Sequence, residues 1–107
     1  MNISPRDIEW IKKVLMPFAG LRKLKLGWSD SKKKYPDIWC SPSEHKIVVT
    51  QEWARQDMHE RKKRLVHEAL HFRGMEHNEK IGYSTYPDRD TYSRMIYNKL
   101  RRKYGTY

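Results

Sequence analysis

Along residues 5–18 the apolar side chains Ile8, Ile11, Val14, Leu15 and Phe18 return every three or four positions, the period of a helix with one face on a core. Ser4 stands where an N-cap belongs, Pro5 suits the first helical position, and Asp7 lies near the positive end of the helix dipole. Pro17 and Gly20 are expected to stop this helix. The period then changes. Leu24, Leu26 and Trp28 alternate with Lys25 and Gly27, as in a half-buried strand, and a polar connection covers 29–36. Ile38-Trp39-Cys40 and Ile47-Val48-Val49-Thr50 are short β-rich runs on either side of the turn-forming stretch 41–45, so 37–51 is predicted to form a hairpin. A second long helix is predicted to begin between Ala54 and Met58 and to run to about Arg73. Leu65, Val66, Ala69, Leu70 and Phe72 supply its apolar surface, and Gly74 falls just past its end. Residues 78–87 read as a loop. Pro87-Asp88-Arg89-Asp90 opens a last helix with Met95, Ile96 and Leu100 inward, and the stretch from Arg101 onward is expected to fray. The pattern gives an α+β domain: N-terminal helix, short mixed or antiparallel sheet, a long central helix and a C-terminal helix.

Composition limits the size of the core. The 107 residues suffice for one domain, 1–107, with 37% apolar against 34% charged residues, and four Trp and seven Tyr bury much area per residue. No apolar run is long enough to span a bilayer or to serve as a secretory leader. The single cysteine, Cys40, excludes an internal disulfide framework and fits a reducing compartment, so a cytoplasmic location is expected. Cys40 itself reads as a small buried strand side chain, and His45 and His59 as surface residues.

The net charge of +10 comes largely from clusters at 22–25, 32–34, 61–64 and 101–103. Such a surface either attracts nucleic acid by counterion release or is a set of solvated faces, since charge alone names no partner. Arg61, Lys62, Lys63 and Arg64 are the cluster expected to make the strongest contacts with nucleic acid, weak and independent of sequence.

Candidate chemistry is concentrated in one stretch, His67-Glu68-Ala69-Leu70-His71-Phe72-Arg73-Gly74-Met75-Glu76-His77. On a helix His67 and His71 are about 40° apart, and Glu68 about 100° from His67 on the side of His71. Two imidazoles so placed can bind one Zn²⁺, and a catalytic site needs a third ligand and an open position. Gly74 can adopt a left-handed conformation that turns the chain back and brings His77 to the metal. Glu76, Glu79 and Asp90 are alternatives for the third ligand or supports for a ligand histidine. A Glu beside the first ligand suits a general base acting on water.

These positions match H-E-x-x-H-x-x-G-x-x-H, so the stretch resembles the zinc-binding motif of metzincin-type metallopeptidases. The run of β-rich segments before it also resembles small zincins, including SprT-like proteases. The resemblance implies a zincin-like metallopeptidase domain, one zinc ion held by His67, His71 and His77, Glu68 as general base and acid, and a peptide or protein substrate. Tyr83, Tyr86 and Tyr92 are candidates to stabilise the oxyanion of a tetrahedral intermediate. An extended substrate is expected along a strand edge, with Ile47 to Thr50 as the candidate. Metzincins place a methionine turn beneath the metal; Met95, the nearest downstream methionine, reads as helix core instead. The histidine spacing also resembles metal-dependent endoribonucleases of the rRNA-maturation type, which carry Gly where this chain has Glu68. A closed structural zinc site is the third alternative, and one cysteine argues against it. A protease recruited to nucleic acid by its basic surface stays open.

Overall fold

The computed structural model describes residues 3–30, 37–74 and 89–105. Helix α1 (Pro5–Trp10) starts as its sequence dictates, with the Ser4 Oγ accepting the Asp7 N–H at 3.2 Å. It runs directly into a π-turn (Ile11–Leu15) and then α2 (Met16–Ala19), so Pro17 does not stop it. Within the π-turn the Met16 N–H donates to the Ile11 carbonyl, five residues back. That wider turn lets the helix pass a residue with no N–H to donate and a ring that crowds the preceding turn. Gly20, at φ +72°, does end it.

Strand β1 (Lys25–Ser29) pairs parallel to β3 (Lys46–Thr50), with Lys25 opposite Lys46 and Ser29 opposite Thr50. Strand β2 (Ile38–Ser41) pairs antiparallel to β3, Ile38 opposite Val49 and Ser41 opposite Lys46. The predicted hairpin is therefore present, closed by a 3₁₀ turn (Pro42–Glu44) and by His45 at φ +49°. The sheet is mixed, in the order β1-β3-β2. This order removes Ile47 to Thr50 as a substrate edge, because β3 is paired on both sides. Among the described residues the sheet edges are β1 and β2.

Thr50 links the sheet to the helix after it. Its hydroxyl donates to the Asp37 carbonyl at 2.8 Å and accepts the Trp53 N–H at 3.4 Å, capping the short helix α3 (Gln51–Ala54). The long helix α4 (Met58–Phe72) starts at Asp57, whose carboxylate accepts the Glu60 N–H at 3.0 Å, within the bounds predicted for the second helix; α3, with its own cap, precedes those bounds. Gly74, at φ +90°, follows its end in the left-handed conformation expected of it. Helix α5 (Arg89–Tyr104) packs along α4, and Arg101 to Tyr104 are helical where fraying is expected. Tyr97 and Leu100 anchor that last stretch in the core, and the Gly105 N–H closes it on the Arg101 carbonyl at 2.8 Å.

The core lies between the inner face of the sheet and the helices: Trp10, Ile11, Val14 and Leu15 meet Ile47, Val49, Trp53, Leu65, Val66 and Tyr97. Trp10 and Tyr97 pack edge to face at 6.2 Å, and the Tyr97 hydroxyl lies 2.6 Å from Nδ1 of the exposed His59. No helix among the described residues is long and apolar enough to cross a membrane.

Candidate metal centre

The side of α4 on which each residue falls follows from its helical phase. Leu65, Val66, Ala69 and Leu70 are all buried, and they occupy one broad arc. His67 and His71 lie opposite that arc and are half-exposed. Their rings stand edge to face, with centroids 5.0 Å apart and planes at 83°. Glu68 falls between the two sides and is buried, 6% exposed. Helix α4 packs on β2, and there the Glu68 carboxylate is within hydrogen-bonding reach of the Cys40 thiol.

Burial chiefly, and then the Glu68 carboxylate, push the Cys40 thiol well above the usual thiol range. The thiol therefore stays protonated and faces the carboxylate as a donor. The strand pattern predicts a plain buried side chain at Cys40; it is half-buried and faces the candidate base. A thiol reacts through its thiolate. Alkylation of Cys40 by iodoacetamide near pH 8 should accordingly run more than about ten-fold slower than in the denatured chain. Glu68→Gln, which removes the carboxylate charge, should speed it. A native rate equal to the denatured one would show that the thiol is not held in this way.

The other expected site residues divide clearly. His77, Glu76, Glu79, Tyr83 and Tyr86 lie outside the described residues, and so does the side chain of Asp90. Tyr92 is half-buried on α5. Among the described residues, no three of His, Cys, Asp and Glu gather into a set able to hold a metal ion. Two imidazoles and a neighbouring carboxylate are what the described chain brings together.

The basic cluster Arg61 to Arg64 does not form the exposed patch expected of it. Lys62 is fully buried and Lys63 is 6% exposed. Arg61 Nε donates to Asp7 Oδ2 at 3.0 Å, Lys63 pairs with Glu60 at 2.9 Å, and Arg64 pairs with Asp37. The cause is again phase: Lys62 stands four residues before Val66 and seven before Ala69, on the buried arc. Four consecutive cations cannot all face solvent on a helix packed this closely.

Compared with protein-family models, curated proteins and solved structures, the chain matches none.

Proposed function

We propose that the protein is a zinc-dependent metallopeptidase of zincin-like design, centred on His67, Glu68 and His71. The observation that carries this reading is the division of α4: two imidazoles in edge-to-face contact on its open side, with a carboxylate one residue along, turned toward an edge strand. The pair fits zinc, because both groups are neutral nitrogen donors one helical turn apart on a rigid, buried helix. The sequence supplies His77 as third ligand, after the left-handed Gly74. Bound there, zinc would polarise the scissile carbonyl and make water a stronger acid. Glu68 would accept a proton from the attacking water on its carboxylate and pass it to the leaving amine. The Cys40 thiol lies beside that carboxylate on the β2 side. An extended peptide would run along β2, whose outer edge has no partner strand among the described residues and which packs on α4.

Zinc analysis of the purified protein tests the reading. One ion per chain is expected, with His67→Ala, His71→Ala and His77→Ala each losing most of it. Hydrolysis of an unstructured protein such as casein should stop with a chelator and return with zinc. A parent chain that takes up no zinc, or a His71→Ala chain that holds it as tightly, would remove the proposal.

A further inference from the structure

The outer side of α5 carries a concentration of charge that the candidate metal centre does not use. Ser93, Tyr97 and Leu100 form its buried side. With about 100° between successive residues, Arg94, Asn98, Arg101 and Arg102 share the neighbouring arc, and Lys99 and Lys103 lie beyond. All six are exposed. An open groove of about 470 Å³ runs there, lined by Arg94, Met95, Asn98, Arg101 and Arg102. From Arg94 to Tyr104 the sequence holds no acidic residue. The ion pairs among the described residues take up Lys13, Arg55, Arg61, Lys63 and Arg64, and none involves α5. Among the described residues, the cations from Arg94 to Lys103 are thus exposed and in no ion pair, the reverse of the 61–64 cluster.

We propose that this groove binds nucleic acid through its phosphodiester backbone. A guanidinium offers a planar fork of donors that matches a phosphate, and the Asn98 amide adds a neutral donor between the arginines. Arg94, Asn98 and Arg102 follow one another at single-turn intervals, a row about 12 Å long by helix rise. A row suits a ligand whose charge is itself continuous, and duplex DNA carries one charge per about 1.7 Å of axis. The net charge of +10 strengthens the attraction over longer range. An acidic protein would present separate carboxylates instead of a line, and is the weaker match. The inference is independent of the peptidase reading.

Anisotropy of the full chain with short labelled RNA and DNA, single-stranded and duplex, of random sequence tests it. Binding should appear at low salt and weaken steeply as salt rises. Replacing Arg94, Arg101 and Arg102 together by Gln should weaken binding at least ten-fold and lower the salt slope by about two to three, at roughly 0.7–0.9 per lost phosphate contact. The same charge removed at the exposed Lys12, Lys23 and Lys25 should change affinity less than about two-fold, and Glu68→Gln should bind as the parent does. Should circular dichroism show the triple arginine variant unfolded, Arg94→Gln with Arg102→Gln, both of which line the groove, takes its place, with a slope lowered by about one to two expected. No binding at low salt, or equal weakening by the α5 and the control substitutions, overturns the groove. Capture of polyglutamate as tightly as of nucleic acid, with the same arginine dependence, would give the face to an acidic protein.

Discussion

Glu68→Gln should leave the fold and zinc uptake unchanged and lower peptide hydrolysis by roughly 10²–10⁴-fold, the range a positioned general base supplies. The substitution is isosteric, so the side chain can keep its place against β2. What is lost is the ability to accept a proton. Measurement of hydrolysis with saturating zinc, beside zinc stoichiometry and thermal unfolding of the same sample, separates the two effects. Activity within a few-fold of the parent would sink the role of Glu68. Cleavage of RNA by the parent, unaltered in Glu68→Gln, would instead favour the endoribonuclease alternative, whose resemblance rests on the histidine spacing and lacks this carboxylate.

Local signals in the sequence are reliable where backbone chemistry alone sets the outcome. The Ser4 cap, the 37–51 hairpin and the left-handed Gly74 all depend on near neighbours, and all are present. Pro17 misleads because its effect depends on whether the preceding turn can widen, and a π-turn there leaves no mark in the hydrophobic period. Strand order is not legible either. Nothing in Ile47 to Thr50 says that a parallel partner lies on one side and an antiparallel one on the other, so the pattern alone makes an edge of what is the central strand. The paired positions of α4 are readable from spacing alone, since 67, 68 and 71 fix one another on a helix. The Cys40–Glu68 contact is not, because it needs the register of β2 against α4. The burial of Lys62 does leave a signal, its spacing of four and seven from Val66 and Ala69, but a run of four cations obscures it.

That buried lysine and the Arg61 ion pair make Asp7 a residue whose loss should damage the fold. Asp7 is 3% exposed on α1, accepts from Arg61 Nε at 3.0 Å, and its charge acts on Lys62, which is fully buried with Nζ 5.5 Å from the centre of the Trp10 ring. Asp7→Ala would leave both cations in place without the carboxylate that offsets their burial. Breaking such a pair from one side costs about 3–5 kcal/mol, against a total of roughly 5–15 kcal/mol for a domain. Chemical denaturation should show that loss. Adding Lys62→Met to Asp7→Ala should recover a large part of it, since the methionine keeps the apolar stem and removes one charge. The lysine also gives a pH signature. Burial, ahead of the neighbouring Arg61 and Arg6, holds the Lys62 pKa below its ordinary 10.5, while Asp7 opposes that shift. Between the lowered value and 10.5 the unfolded chain binds more protons than the folded one, so Lys62 makes stability rise with pH across that window. Lys62→Met should lack this alkaline rise. If Asp7→Ala costs under about 1 kcal/mol, as an exposed pair would, or if the rise persists without Lys62, then the α1–α4 contact is held by Trp10 and its apolar neighbours alone.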